Sequence, residues 1–322
     1  MDSRNCRPNC CVLGLAALVA WAMPARAELL YVSLSDSTIV TYNVSLSGST
    51  EVRNSRTTFA SGSPLNAPEE MVFDATGNLY TTNRNGNTVS KITPSGTIST
   101  FASGTASLLN KPIGLAIDPS GNLYVANEND ATITKLTPAG AASTFATSVG
   151  TYGLASDAAG NIYAAAGGSS IVRFTPQGVS STFATTNLST PRGMTFNTSG
   201  NLFVANFGNQ TIATFTPAGT GSTFLTATGS PGPNDVAFDS LGNLYIAGNG
   251  NRTVQKYNAA GEFQFSWTLG GPRAQHLLIE PVAVPEPSTW AMGLAGIACA
   301  GWGMRRRRRS LTCERRPSMS RA

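Results

Sequence analysis

The chain has 322 residues, with 22 Lys and Arg, 17 Asp and Glu and a single His, so its formal net charge is +5. The positive excess lies in the two ends, because residues 28–287 contain 11 Lys and Arg against 15 Asp and Glu. This acidic body excludes the nucleic-acid binding that the overall charge would suggest. All five Cys residues also lie in the terminal segments, so the body has no disulfide, thiolate metal site or Cys nucleophile.

The first 27 residues have the pattern of a secretory signal peptide. Arg4 and Arg7 supply a positive start, and an apolar stretch follows at Cys11–Ala22. Ala25 and Ala27 then provide a small-x-small cleavage site, so we expect Glu28 to be the mature N-terminus. A lipoprotein signal is excluded because its cysteine would end the apolar stretch rather than open it.

Residues 28–281 repeat a unit of about 40 residues. A Gly-Asn pair marks each unit, at Gly77, Gly121, Gly160, Gly200 and Gly242, with steps of 44, 39, 40 and 42 residues. The second unit alternates Val, Ile, Thr, Tyr and Phe in four short runs separated by Pro and Gly turns. Its predicted strands are Gly114–Asp118, Leu123–Asn127, Thr132–Leu136 and Ala142–Ala146. Four strands per repeat predict an all-β protein, a β-propeller.

The units add up to six blades. Five first strands begin near Pro68, Pro112, Thr151, Pro191 and Pro233, and a sixth is predicted at Gln275–Glu280. That last strand has no partners after it, whereas Leu29–Ser33 has partners but no first strand before it. We therefore predict that Leu30–Val32 pairs with Leu277–Ile279 and closes the ring without an open edge. The alternative is an open solenoid.

The unit Pro112-Ile-Gly-Leu-Ala-Ile-Asp-Pro-Ser-Gly-Asn-Leu-Tyr-Val-Ala-Asn127 resembles the NHL repeat. It is more distantly similar to the streptogramin lyase and gluconolactonase-like propellers. NHL repeats usually have Asp where this chain has Asn83, Asn127 and Asn206, so negative charge is missing from that face. The WD40 repeat has a similar period, but the body contains only Trp267 and no Trp-Asp pair. A streptogramin lyase mechanism cannot be mapped residue by residue onto this sequence.

One equivalent position, or slot, of the six first strands holds different residue types in different blades. It holds Gly114, Gly153 and Gly193 in three blades, and Glu70, Asp235 and His276 in the other three. The second set belongs to contiguous blades once the ring closes, so two carboxylates and an imidazole are predicted to converge. Such a set suits a divalent cation, the one cofactor candidate, or general acid/base catalysis. The alternative is that the repeats have diverged and that polar residues are tolerated there because the channel is solvated.

The preceding slot gives a second ring of candidates for ligand binding. Its members are Glu69, Ile113, Tyr152, Arg192, Asn234 and Gln275. Tyr152 and Arg192 lie in adjacent blades and suit a sugar or a carboxylate. Ordinary channel lining is the alternative. Asn83, Asn127 and Asn206 are interpreted as structural, because Asn commonly bonds its own backbone in turns.

The C-terminal segment, residues 282–309, combines a polar motif, an apolar run and a basic block. Pro285, Glu286 and Pro287 precede the apolar run Trp290–Met304, and Arg305–Arg309 follow it. The run is near the roughly 17-residue lower limit for a transmembrane helix, and the arginines are expected on the cytoplasmic side. A plain tail anchor and a buried helix with a disordered basic tail are the alternatives.

This order of elements resembles the PEP-CTERM sorting signal of Gram-negative bacteria. The resemblance implies processing by an exosortase after export, a transient inner-membrane anchor and a final place at the outer surface or outside the cell. Such proteins usually accompany exopolysaccharide production. Ser310–Ala322, expected to be a disordered basic tail, departs from the pattern, which usually stops near the basic block.

These features predict an exported, surface-sorted propeller that binds matrix polysaccharide or protein and is not an enzyme. The body is expected to be monomeric and to contact the membrane only through the C-terminal helix. The rival is a secreted metal-dependent hydrolase, lactonase or lyase using Glu70, Asp235 and His276. A third possibility is a coat protein with no specific ligand.

Overall fold

The computed structural model of the protein describes residues 27–147, 150–229 and 232–280. The predicted sorting segment, and the signal peptide apart from Ala27, lie outside these residues. Within them the chain forms strands, one α-helix (α1, Ser49–Asn54) and one 3-10 helix (Thr105–Ser107). The strands are β1 (Leu29–Leu34), β2 (Thr38–Asn43), β3 (Thr57–Ser61), β4 (Pro68–Phe73), β5 (Leu79–Asn83), β6 (Thr88–Ile92), β7 (Ile98–Ser103), β8 (Pro112–Ile117), β9 (Leu123–Asn127), β10 (Thr132–Leu136), β11 (Ala142–Ala146), β12 (Thr151–Ser156), β13 (Ile162–Ala166), β14 (Ser170–Phe174), β15 (Ser180–Ala184), β16 (Pro191–Phe196), β17 (Leu202–Asn206), β18 (Thr211–Phe215), β19 (Gly221–Thr226), β20 (Pro233–Phe238), β21 (Leu244–Gly248), β22 (Thr253–Tyr257), β23 (Phe263–Thr268) and β24 (Ala274–Ile279). No helix of the described ranges is both long and apolar enough to cross a bilayer.

The described strands form six four-stranded antiparallel sheets, which confirms the predicted six-bladed propeller. Blades 1 to 5 are β4–β7, β8–β11, β12–β15, β16–β19 and β20–β23, and blade 6 has the order β24-β1-β2-β3. The first-named strand of each blade is innermost. Each innermost strand packs against those of both neighbouring blades, including β24 against β4, so the ring is closed.

Blade 6 joins the two ends of the body in the predicted register. Leu30 lies opposite Ile279 and Val32 lies opposite Leu277 in the antiparallel pair β1–β24. The backbone N–H of Glu280 adds a further hydrogen bond to the carbonyl of Leu29. Because β24 takes up the edge of β1, blade 6 is a complete four-stranded sheet like the other five.

The apolar core lies between the blades. Between blades 5 and 6, Tyr245, Val254 and Trp267 pack against Leu30 and Tyr42, all at most 4% exposed. Fully burying one aliphatic or aromatic side chain contributes roughly 1.5–3 kcal/mol. Five similar clusters separate the other blades in the described part of the chain, so each blade is stable only against its neighbours.

The turn residues that recur between the repeats hold the hairpins. Asp118 Oδ1 accepts the backbone N–H groups of Ser120 and Asn122, and Gly121 takes a positive φ of 81°. Asn127, at the end of β9, is buried and donates to Thr132 and Thr134, while its Oδ1 accepts the N–H of Asn110. The structural interpretation of these Asp and Asn residues is therefore supported by their hydrogen bonds.

Two local features differ from the sequence prediction. The helix α1 was not predicted, because its six residues bury only Val52 and show no helical period. The first strand of blade 2 begins at Pro112, as the blade count predicts, and ends at Ile117. The bounds Gly114–Asp118 given for its unit are late, because Pro112 pairs with Asn127 across a break in register.

Candidate functional site

The innermost strands carry a β-bulge at the level of the candidate residues. In blade 1 the register shifts between Pro68 and Met71, which leaves Glu69 and Glu70 without partners on β5. The same shift occurs in blades 2, 3 and 4. A bulge breaks the alternation of a strand, so two consecutive side chains are available to the channel.

At the deeper of these two levels the ring divides into two arcs. The polar arc consists of Asp235, His276 and Glu70 in blades 5, 6 and 1. The glycine arc consists of Gly114, Gly153 and Gly193 in blades 2, 3 and 4. All three polar side chains are at most 9% exposed.

The structure brings the three residues of the polar arc together, as their shared slot predicts. His276 Nε2 lies 3.3 Å from Asp235 Oδ2 and 3.6 Å from Glu70 Oε1. His276 Nδ1 accepts the backbone N–H of Met71 at 3.3 Å. A neutral imidazole with this bond carries its proton on Nε2, which then faces both carboxyl groups.

Backbone groups of neighbouring blades hold the two carboxyl groups. Asp235 Oδ2 accepts the N–H of Leu277 at 2.6 Å, and Glu70 Oε2 accepts those of Leu115 and Leu154. The polar arc therefore links blades 5, 6, 1, 2 and 3 through side chain to backbone hydrogen bonds. Asp235 Oδ1 is buried with no hydrogen-bond partner among the described residues.

Burial governs the protonation of this cluster. It raises the pKa of Glu70 well above its usual range, against the N–H donors of Leu115 and Leu154. It raises the pKa of Asp235 to about 6, although His276 opposes the shift. It lowers the pKa of His276, which Asp235 opposes. Burial therefore favours the neutral forms of Glu70 and His276, whereas Asp235 loses its proton as the pH rises through about 6.

The metal hypothesis for Glu70, Asp235 and His276 gains no support from the geometry. Within residues 27–147, 150–229 and 232–280, no group of three or more His, Cys, Asp or Glu side chains is arranged to hold a metal ion. One atom of each side chain already accepts a backbone N–H, which leaves few lone pairs for a cation. The catalytic and metal roles of these residues stay predictions.

The shallower ring opens into a pocket of about 270 Å³ at one mouth of the channel. Its members among the predicted ligand-binding residues are Glu69, Tyr152, Arg192, Asn234 and Gln275. The Arg192 guanidinium carbon lies 5.4 Å from the Tyr152 ring centre, and Arg192 Nη1 donates to Asn234 Oδ1 at 2.6 Å. The Tyr152 side chain is 45% exposed. The structure thus places the whole predicted ring around one cavity, and its role in binding stays a prediction.

Sequence reasoning missed three residues at this mouth. Arg84 and Glu128 line the pocket and form an ion pair with Nη2 and Oε2 2.6 Å apart, and Phe207 stacks on Arg192 with 3.5 Å from Cζ to the ring centre. Each directly follows the last residue of a second strand, Asn83, Asn127 or Asn206. The residue after each second strand is visible in the repeat, so a comparison of that position between the repeats identifies all three.

The channel below the polar arc is a separate cavity of about 280 Å³. Apolar strand residues such as Leu115, Leu154 and Val236 line it, together with Glu70 and His276. Because those two polar side chains border both cavities, the cluster separates the mouth pocket from the channel cavity.

The sequence of the propeller decides its family. Residues 42–279 match the model of the virginiamycin B lyase family, which is well over half of the chain. The chain belongs to the virginiamycin B lyase family. No curated protein sequence matches it at a significant level.

Solved propellers share the fold of this virginiamycin B lyase family member at low identity. The nidogen/laminin complex contains a chain matched with a TM-score of 0.68 and 18% identity, over 79% of this chain and 98% of that one. A streptogramin B lyase structure matches with a TM-score of 0.59 and 15% identity, over 78% and 85%. A catalytically inactive virginiamycin B lyase variant from Staphylococcus aureus with quinupristin gives 0.58 and 15%, over 77% and 87%. At these identities the likeness establishes the fold alone.

The C-terminal segment of this family member carries a second match. Residues 283–309 match the PEP-CTERM protein-sorting motif, as the resemblance of Pro285, Glu286, Pro287 and the arginine block implied. The motif indicates export and membrane-anchored sorting in a Gram-negative bacterium, with processing by an exosortase. The predicted signal peptide is consistent with this route.

Proposed function

We propose that the protein is a surface-sorted propeller that binds a component of the extracellular matrix, polysaccharide or protein, through the mouth pocket. The sorting motif supports the place of action. The observation that carries the binding role is the half-exposed Tyr152 ring beside a pocket whose other lining is mainly hydrogen-bonding side chains. An exposed aromatic ring next to converging polar groups is typical of a ligand site.

The deep cluster favours binding over catalysis as the main activity. Its three side chains are almost fully buried, and each uses an atom to hold the backbone of a neighbouring blade. We interpret these contacts as structural, because they hold neighbouring blades together. The shallower ring, by contrast, presents groups to solvent.

The test is retention of the protein by its own matrix. Labelled mature body, residues 28–280, contains all the described strands and is added to a biofilm of the gene-deletion strain, which is then washed. Removing the exposed ring with Tyr152→Ala is expected to lower retention by about fivefold or more, which is about 1 kcal/mol. Phe263→Ala, which removes a 54% exposed ring on an outermost strand, is the matched control and is expected to leave retention unchanged.

Equal retention of the wild type and Tyr152→Ala would reject the mouth as the binding site. Unchanged biofilm and surface protein profile in the deletion strain would reject a matrix role altogether.

A lyase or hydrolase is the second candidate, and the observation behind it is that His276, Asp235 and Glu70 line the mouth pocket. An Nε2–H facing two carboxyl groups is an arrangement that can move a proton to or from a bound substrate. A screen of lactones and polysaccharides for turnover, with and without a chelator, separates the candidates. Turnover that is lost in His276→Asn would establish the enzyme, whereas the binding proposal expects none.

A further inference from the structure

Arg192 is held at the mouth by two aromatic rings and one hydrogen bond. Its guanidinium lies on Phe207 and beside Tyr152, and its Nη1 bonds Asn234. Its Nε is buried and has no hydrogen-bond partner within the described ranges. An unpaired buried donor costs about 1–3 kcal/mol, so such a group requires an explanation. Arg192 also lines the mouth pocket, so a ligand there can accept from the outer nitrogens of its guanidinium.

The charge of Arg192 is also poorly balanced. The nearby Arg84 is paired with Glu128 through hydrogen bonds from both Nε and Nη2. Glu69 is the acidic residue of the shallower ring, but burial raises its pKa to about 7. Arg84 and Arg192 oppose that shift, while Glu128 and Glu70 add to it. In mildly acidic solution Glu69 is therefore neutral, and the mouth holds a cation without a counterion.

We propose that the mouth binds a saccharide that contains uronic acid, with the sugar carboxylate on Arg192 and the sugar ring on Tyr152. This inference rests on the proposed function and names the class of its ligand. Guanidinium groups bind carboxylates through parallel N–H donors, and the exposed Tyr152 ring matches the apolar face of a pyranose. Asn234, Gln275 and neutral Glu69 offer both donors and acceptors to hydroxyl groups.

The size of the pocket agrees with a short stretch of a polysaccharide. Its volume of about 270 Å³ is at the lower limit of ligand pockets, which span roughly 300–1,000 Å³. It therefore admits one or two sugar residues of a longer chain. An acidic peptide offers a carboxylate for Arg192 but no hydroxyl-bearing ring for Tyr152 and Asn234, so the saccharide is the better match.

A uronic acid ligand also predicts that binding at the mouth depends on pH. As the pH falls through about 7, Glu69 gains a proton and its negative charge beside the bound carboxylate disappears. A sugar carboxylate, with a pKa near that of an α-carboxyl group at about 3.5, is still ionised at about pH 5.5. Binding is therefore expected to be tighter at about pH 5.5 than at about pH 8.

Calorimetry of the mature body with trigalacturonate tests the assignment. The methyl ester of the same trisaccharide keeps the rings and removes the charge, and a triglutamate peptide keeps the charge and removes the rings. The acid is expected to bind at least about tenfold more tightly than its methyl ester, which is about 1.4 kcal/mol. Arg192→Gln should lose the same factor, and Glu69→Gln should reduce the difference between the two pH values to the part that Asp235, with a pKa of about 6, contributes. Arg173→Gln, which removes a cation from a third strand, should behave like the wild type.

Each contrary outcome has a separate meaning. Equal binding of acid and ester, with Arg192→Gln unaffected, overturns the uronate assignment but keeps the mouth as a saccharide site. Equal binding of triglutamate overturns the saccharide class. If no probe binds to the folded body while retention by the matrix still depends on Tyr152, only this inference fails. If, in addition, the wild-type body is not retained by the matrix or its retention does not depend on Tyr152, the proposed function fails with it.

Discussion

The polar arc and the glycine arc occupy equivalent places in six related repeats, yet their side chains are opposites. In the polar arc, Glu70 and Asp235 reach across the channel to backbone N–H groups of other blades. In the glycine arc there is no room for a side chain: a Cβ at Gly114 would lie 3.2 Å from Glu70 Oε2 and 2.7 Å from the carbonyl oxygen of Tyr152. The comparison teaches that glycines in one half of the ring are the complement of polar groups in the other half.

The largest expected effect comes from filling the glycine arc. A Cβ at Gly193 would overlap Asp235 Oδ1 and lie 2.8 Å from Asp235 Cα. Because Leu277 fixes this carboxylate, Gly193→Ala is expected to lower the free energy of unfolding by about 3 kcal/mol or more. Urea denaturation measures the loss. Gly271→Ala, with no atom within 4 Å of the new Cβ, is the control. A loss below about 1 kcal/mol at Gly193 would show that the arcs are independent.

The next effect is a pH dependence that belongs to the polar arc. Burial raises the pKa of Asp235 to about 6, so its contribution to stability is complete below its unfolded value near 4 and is lost as the pH rises through about 6. Asp235→Asn does not titrate. Its stability relative to the wild type is therefore expected to improve by up to about 3 kcal/mol between about pH 4 and pH 7.

Denaturation curves of both proteins over this pH range provide the measurement. Glu69 and His276 titrate in both, so the difference between the curves isolates Asp235 to a first approximation. Parallel stability profiles would contradict the raised pKa and, with it, the buried state of the carboxylate.

A smaller loss of stability is expected at the hairpin turns, which are alike in the blades of both arcs. Asp74 in blade 1 and Asp118 in blade 2 each accept two backbone N–H groups of their own hairpin. Asp74→Ala and Asp118→Ala should each cost about 1–2 kcal/mol, and by similar amounts, because the turns do not reach the channel. Thermal unfolding of both variants checks this, with the exposed Asp36→Ala as control. Clearly unequal losses of stability in the two variants would show that the blades of the two arcs also differ outside the channel.

The smallest effect is expected where the two arcs meet at the surface. Arg84 of blade 1 pairs with Glu128 of blade 2, but the side chains are 37% and 30% exposed. Arg84→Gln should therefore cost less than about 1 kcal/mol, and less still at high salt. Denaturation at two salt concentrations is the measurement. A loss that is larger and independent of salt would mean that this pair is essential to the junction.

The sequence predicts the fold well because the repeat supplies an internal alignment. Leu123–Asn127, Thr132–Leu136 and Ala142–Ala146 are strands with the bounds that the pattern indicates. The five first strands begin at the residues that the blade count predicts, Pro68, Pro112, Thr151, Pro191 and Pro233. Only the Gly114 start given for the second unit is displaced, because a bulge interrupts the alternation of that strand. The convergence of Glu70, Asp235 and His276 follows from their common slot once the ring is closed.

The contacts of these side chains do not follow from the sequence. Whether Glu70 bonds a metal, a ligand or the N–H of Leu115 depends on the distance between blades, which no local pattern encodes. Arg84, Glu128 and Phe207 share the position after a second strand, which the repeats do show, but their pairing with each other and with Arg192 depends on how the blades pack. Repeats thus predict which residues share a level, and the structure supplies their partners.

The pairing of β1 with β24 also places both ends of the body away from the mouth pocket. Residues 28 and 280 lie side by side at one end of blade 6, because Leu30 lies opposite Ile279, whereas the Tyr152 and Arg192 pocket opens at the other end of the channel. Any attachment through the carboxyl side of residue 280 therefore starts at the end of the channel opposite the pocket.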